Sequence, residues 1–184
     1  MTTDASHILV GTTGTVSVAP TTTAAPTTTS GALNAAFIDM GFLSEDGFTF
    51  TESKDVADIN VWQSFYPARK LITGRAVQVS FALREWKKDT VEFALGGTVT
   101  AAHPNHKYEP PTASALGLKS MVIDWQDGTR FYRLYFPTGL VTEAVESNMT
   151  RTDAGNLPIT YVATDPGGGT SIYSLFTNDV AFSS

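Results

Sequence analysis

A stretch that changes its repeat halfway along constrains this chain most: Gly74 to Gly97, GRAVQVSFALREWKKDTVEFALGG. From Val77 to Leu83 the apolar residues Val77, Val79, Phe81 and Leu83 alternate with Gln78, Ser80 and Ala82, the period-two signature of a strand with one buried face. Beyond Lys87 and Lys88 the period lengthens. Asp89 is placed to cap the amides of a new turn, Glu92 follows three residues later as in a capping box, and Val91, Ala94 and Leu95 share one helical side. Gly96 and Gly97 then end the helix, because glycine takes the left-handed backbone that a helix terminus often needs. A strand running into a short helix, with one apolar row to bury, calls for a sheet with that helix packed on it.

A second stretch fixes a strand pairing. KSMVIDWQ and TRFYRLYF flank Asp127-Gly128, a dipeptide that favours a two-residue type I′ turn. That turn sets Trp125 opposite Arg130, Ile123 opposite Tyr132 and Met121 opposite Leu134, which puts the apolar residues of both strands on one face. Trp125 and Arg130 are also placed for a cation–π contact. Further strands are expected on both sides. Phe37 to Leu43 and Phe48 to Thr51 read as a hairpin around Glu45-Asp46-Gly47, and the last portion, Gly139 to Thr164, offers two strands separated by a turn at Asp153 to Asn156. The segment from Glu52 to Pro67 reads as a long loop, and HPNHKYEPPTAS, from His103 to Ser114, as a polar one. The expectation is a mainly β domain, a sandwich or barrel of about seven or eight strands with one flanking short helix.

Composition separates the ends from this domain. Residues 1–34 are rich in Thr, Pro, Ala and Ser and read as an arm with little to bury, either loose or ordered on a partner. Residues 35–164 form the β domain, and 165–184, opening with Asp165-Pro-Gly-Gly-Gly, form a C-terminal extension with an apolar tail. The chain of 184 residues has no cysteine, which excludes disulfides and thiolate sites. Its formal net charge of −6 disfavours tight nucleic-acid binding, since such binders concentrate Lys and Arg against phosphates. No basic-plus-apolar secretion signal and no run of roughly 20 apolar residues is visible, so a soluble protein made in a cytoplasm, without a membrane partner, is expected.

A search for chemistry yields little. His103 and His106 are three apart, but Pro104 argues against the helix that would bring them onto one metal, and His7 stands alone. No nucleophile elbow, zinc-protease helix or phosphate-binding glycine loop occurs. The carboxylates Glu52, Asp55 and Asp58 read as solvated charges, and the aromatics Trp62, Phe65 and Tyr66 as packing or interface groups. Neither an enzyme nor a cofactor is expected. A second reading treats Trp62, Tyr66 and the neighbouring carboxylates as the sugar platform of a monomeric carbohydrate-binding β-sandwich.

Three segments, DGFTFTESKDVADINVWQSFYPARKLITGR, VSFALREWKKDTVEFALGG and GLVTEAVESNMTRTDAGNLPITYVAT, resemble the major tail protein, or tail tube protein, of long-tailed siphoviruses, especially those infecting actinobacteria. The likeness covers roughly Phe37 to Thr164. It implies a β-sandwich or barrel subunit with a flanking helix that assembles into hexameric rings, stacked into the hollow tube through which phage DNA passes. Its partners would be further copies of itself and the tape measure, tail terminator and distal tail proteins, with DNA only in transit, and its place would be the virion. On this reading Glu52, Asp55, Asp58, Trp62, Phe65 and Tyr66 are candidate contacts between subunits and rings, and Gln78, Ser80 and Arg84 are candidate lumen residues.

Overall fold

The computed structural model describes residues 7–102, 104–112, 117–143, 145–152 and 154–182. Ten strands and one α-helix follow in the order β1 (Thr13–Pro20), β2 (Ile38–Asp39), β3 (Leu43–Ile59), β4 (Arg69–Leu83), α1 (Lys88–Leu95), β5 (Thr98–Ala102), β6 (Asn105–Glu109), β7 (Lys119–Asp127), β8 (Arg130–Val141), β9 (Leu157–Ala163) and β10 (Ser174–Thr177). The fold is mainly β, with one short α-helix among the described residues, as the alternation of apolar residues predicts. One eight-stranded sheet runs β2-β1-β7-β8-β9-β4-β3, with β10 also paired to β8, and β5 and β6 form a separate hairpin.

The two ends of that sheet are close together. Asp39 ends β2 at one edge and Leu43 opens β3 at the other, so the edges are at most about 14 Å apart along the chain. Met40 N–H donates to Val16 O (2.8 Å) and Arg84 N–H to Phe42 O (2.8 Å), tying this link to both sides. Phe48 of β3 meets Trp125 of β7 edge-to-face, with ring centroids 5.2 Å apart. The sheet thus curls into a barrel whose interior holds Val16, Val79, Phe81, Leu83, Met121, Ile123, Phe136, Leu157 and Tyr161.

The apolar row of β4 faces this interior, as its period-two pattern predicts. It packs against the strands across the barrel, while Phe93 and Ala94 of α1 join the same core. The helix boundaries agree with the sequence, but its cap differs. Lys87, not Asp89, occupies the capping position, and Thr90 Oγ1 accepts the Lys87 N–H at 2.9 Å. Glu92 instead accepts Val99 N–H at 2.7 Å, fixing the entry to β5. Thr90, Phe93 and Ala94 form the buried side, and Leu95 is exposed.

The β7–β8 hairpin forms two residues out of the expected register. Asp127 pairs with Arg130 and Trp125 with Tyr132, leaving Gly128-Thr129 as the turn. Gly128 has φ 61° and among the described residues none other than glycine has positive φ, which fits type II′ rather than I′. A shift of two preserves which face each residue presents, so the apolar side is unchanged. Trp125 stacks on Tyr132, with centroids 5.3 Å apart and planes 9° from parallel, and Arg130 pairs with Asp127.

Other expectations are corrected. Glu45 to Gly47 is no turn between two strands but an irregularity inside β3, between Leu43 and Phe48. Part of the polar segment after His103 is β6, paired with β5, because strand pairing satisfies its backbone groups regardless of side-chain polarity; His103 itself lies outside the described residues. The first of the two strands expected between Gly139 and Thr164 is the end of β8, and the second is β9; Asp153 lies outside the described residues.

The sheet also crosses the expected segment boundaries at 34 and 165. Strand β1, from the Thr/Pro-rich end, sits between β2 and β7, with Val16 fully buried. Beyond it, buried Arg133 on the outer sheet face grips Asp124 at 2.7 and 2.8 Å and donates to the carbonyls of Thr28 (3.0 Å) and Gly31 (2.9 Å). Those bonds fasten the Thr-rich segment over the barrel. At the other end β10 pairs with β8, and Asp179 accepts hydrogen bonds from Tyr132 and Arg130. Chemical simplicity did not leave either end without long-range partners.

Candidate functional site

Strands β3 and β4 pair continuously from Phe48 opposite Phe81 out to Ile59 opposite Arg69. The ladder has two parts, separated by a bulge between Asp55 and Val56. In the inner part β4 is flanked on its far side by β9, with Val79 opposite Tyr161 and Phe81 opposite Ile159. The outer part extends beyond β9, and its residues are exposed on both faces.

This outer ribbon is apolar for something so exposed. Val56 lies opposite Ile72, and Ala57 opposite Leu71, with Ile59 next to the tip. Val56, Ile59, Leu71 and Ile72 remain between 44% and 51% exposed. The tip, residues 60–68, carries Trp62 at 99% and Phe65 at 106% exposure, with Tyr66 also open. Its backbone is nonetheless shaped: Ser64 N–H donates to Val61 O (3.3 Å), Ala68 N–H to Ile59 O (2.9 Å) and Tyr66 N–H to Ser64 Oγ (3.1 Å). A two-stranded ribbon alone is marginal in water, and clustered exposed apolar groups mark interaction surfaces.

The sequence placed Glu52, Asp55 and Asp58 on a loop with the three aromatics; the structure puts all three carboxylates on β3. Their roles divide. Glu52 accepts the Tyr173 hydroxyl (3.1 Å), so it anchors the segment before β10 to the body. Asp55 sits at the bulge, and its carbonyl accepts Thr73 Oγ1 at 3.3 Å. Asp58 pairs with Lys70 across the ribbon at 2.7 Å. Only Trp62, Phe65 and Tyr66 belong to the loop. The sequence reading passed over Val56, Ile59, Leu71 and Ile72, although apolar residues on paired strands with no core beneath them are the signal that would have found them.

Gln78 and Ser80 lie on the β4 face away from the core. Their neighbours there are Thr49 and Thr51 of β3 and Thr160 and Val162 of β9. Ser80 Oγ is 3.3 Å from Thr160 Oγ1, which donates to Glu143 at 2.7 Å. Arg84 does not continue this row. It follows the strand, and its Nη1 donates to Ala154 O at 3.1 Å. His106 sits on β6 opposite Ala101, and among the described residues no group of three or more His, Asp or Glu is arranged to hold a metal.

A cluster of coupled charged and phenolic groups lies elsewhere, at the β7–β8 turn. Tyr132 donates to Asp179, whose other oxygen accepts Ala181 N–H at 2.9 Å. The Tyr132 hydrogen bond, the Ala181 amide and the nearby Arg130 hold the Asp179 carboxyl below its ordinary range, and burial pushes the Tyr132 phenol up. Arg130 also donates to Ile8 O (3.3 Å), so one cluster holds both chain ends. This is a structural clasp: it ties the segment after β10 to the β7–β8 turn and to Ile8 near the other end of the chain.

The surface that stands out is therefore a projecting ribbon with an aromatic tip on a curled barrel. The sequence model of one protein family, described as phage tail tube protein, matches residues 1–184. The chain belongs to that family. Among curated protein sequences none matches it significantly. Membership makes this chain a structural component of a phage tail and implies assembly with itself and with other tail proteins.

Proposed function

We propose that this tail tube protein polymerises into stacked rings, six copies to a ring as its resemblance to siphovirus tail proteins implies, and that the β3–β4 hairpin makes the contact between copies. One observation carries the reading: from Val56 to Arg69 the hairpin exposes both faces and ends in three open aromatics. Such a ribbon gains its apolar stabilisation only when another surface covers it. The outer edge of β3, at the end of the sheet, offers further backbone groups to a neighbour, which would remove the hazard of an open edge.

The polar row containing Gln78 and Ser80 is our candidate for the lumen face, since it opposes the core and is built of hydroxyl and amide groups. A protein of net charge −6 repels a passing phosphate backbone rather than retaining it, which suits a conduit for DNA ejection. Actinobacterial hosts and synthesis in the host cytoplasm belong to the same proposal. So do contacts with the tape measure, terminator and distal tail proteins. The carbohydrate-binding alternative has less support, because two of its three carboxylates are already engaged, Asp58 by Lys70 and Glu52 by Tyr173.

Replacing Trp62 and Phe65 together by serine tests the contact. The variant should fold as a monomer with an unchanged circular dichroism spectrum and fail to form tubes in negative-stain micrographs. Tubes of normal length and number from this variant would overturn the assignment of the hairpin.

A further inference from the structure

Strand β4 has the aromatic tip at its start and α1 beyond its end. Its 15 residues separate the two by up to about 50 Å along the strand. Beside α1, where the ends of β1 and β8 and the start of β7 meet it, lies a groove of about 620 Å³. Val18, Met40, Phe93 and Val141 give it an apolar lining, and Ile38 and Leu95 stand exposed at its margin. Its size falls within the roughly 300–1,000 Å³ of pockets that enclose a drug-sized group, enough for an aromatic cluster.

The groove is also charged in a particular sense. Asp89, Glu92 and Glu143 line it together with one cation, Lys119. Glu92 and Glu143 each accept one hydrogen bond from within the chain, from Val99 N–H and Thr160 Oγ1. Among the described residues no Lys or Arg forms an ion pair with any of the three carboxylates. The hairpin tip is the complement. It is aromatic, and Arg69 immediately follows it with no ion-pair partner among the described residues, beside Lys70.

We propose that the groove beside α1 receives the Trp62–Tyr66 tip of the β3–β4 hairpin from a second copy of this chain, with Arg69 of that copy set against the Asp89, Glu92 and Glu143 carboxylates. Projection and socket lie at opposite ends of one strand, so the contact is head-to-tail. Repeated without closure, such a contact builds an open-ended stack rather than a closed dimer. The assignment rests on the tube reading above and adds to it the site where the hairpin docks.

The test uses the full chain. Asp89→Lys should raise the concentration needed for tube formation about tenfold or more, and Arg69→Glu in the same chain should restore it, because the charge pair is then reversed rather than lost. Since the chain has no native cysteine, Gln63→Cys and Leu95→Cys place single thiols at the tip and at the groove margin. Co-assembled with excess unmodified chain and mildly oxidised, the two variants should form a disulfide-linked dimer in tubes and none in the monomer fraction. If Trp62 and Phe65 prove dispensable for tubes, the hairpin-contact reading fails and the groove assignment with it. If they are required but Asp89→Lys assembles normally and the two thiols stay free in tubes, the hairpin docks elsewhere and the groove assignment alone is overturned. That second outcome is also the one expected if another tail protein or a small molecule occupies the groove.

Discussion

Val79 and Val56 sit on the same pair of strands, in the same hydrogen-bonded ladder, and differ only in what lies beside them. Val79, flanked by β3 and β9 and facing the barrel interior, is 0% exposed; Val56, past the bulge, is 51% exposed. Full burial of such a side chain contributes about 1.5–3 kcal/mol, so the inner half of the hairpin is stabilised within the monomer while the outer half leaves much of that gain unrealised. Backbone pairing alone does not distinguish the two halves. The difference shows that one ladder can be stabilised by the domain at its base and still leave its outer half uncovered.

The largest effect that separates them is a core truncation. Phe81→Ala should cost about 3–5 kcal/mol and lower the melting temperature steeply, whereas Phe65→Ala should leave monomer stability within about 0.5 kcal/mol. Equal losses in thermal denaturation would erase the distinction between the halves. Next comes Gly139, against which the Tyr161 ring packs, its hydroxyl donating to Lys119 O at 2.8 Å; a Cβ there runs into that ring. Gly139→Ala should therefore destabilise by about 1–3 kcal/mol in urea titration without altering the hairpin, and a neutral result would mean that this part of the barrel yields as readily as the tip.

A smaller and local effect is expected at the clasp. The folded Asp179 carboxyl lies below its ordinary value, so its contribution is present above pH about 4 and is lost as pH falls through the lowered folded value. Hydrogen exchange of residues 174–182 should accelerate on that descent, and Asp179→Asn should show the faster exchange already at neutral pH. Exchange rates that stay the same in the variant would mean that β10 pairing alone holds the segment. The smallest effect belongs to the ribbon: Lys70→Ala removes an exposed pair to Asp58 and should change monomer stability by less than about 0.5 kcal/mol. A larger loss on chemical denaturation would show the arm to be more integrated than its exposure suggests.

Local pattern revealed whatever depended on which face a residue presents. The β4 row, the extent of α1 and the shared apolar side of β7 and β8 were legible, the last even with the register two residues out, because two is the repeat of a strand. What pattern did not show was pairing at a distance. The Thr/Pro-rich end looked unable to bury anything, yet Val16 and Val18 alternate with Ser17 and fill a gap between β2 and β7 that only the finished barrel provides. The hairpin tip was legible as a cluster of aromatics, Trp62, Phe65 and Tyr66, which the structure leaves exposed. Its length was not, since Glu52, Lys54, Asp55 and Asp58 gave β3 the composition of a loop, and cross-strand pairing such as Asp58 to Lys70 overrode that preference.

The position of β1 between β2 and β7 has a consequence in time. Thr12 and Gln126, which bond at its end, are 114 residues apart, so the chain closes this part of its barrel late. At synthesis rates of about 5–20 residues per second, the edge of β1 stays unsealed for roughly 6–23 s after it leaves the ribosome. During that interval the Thr, Pro and Ala of residues 20–29 lower the propensity of the emerging strand to recruit another nascent chain, since proline and small polar residues make poor aggregation seeds. The first strand is thereby kept from pairing with the wrong partner until its own β7 exists.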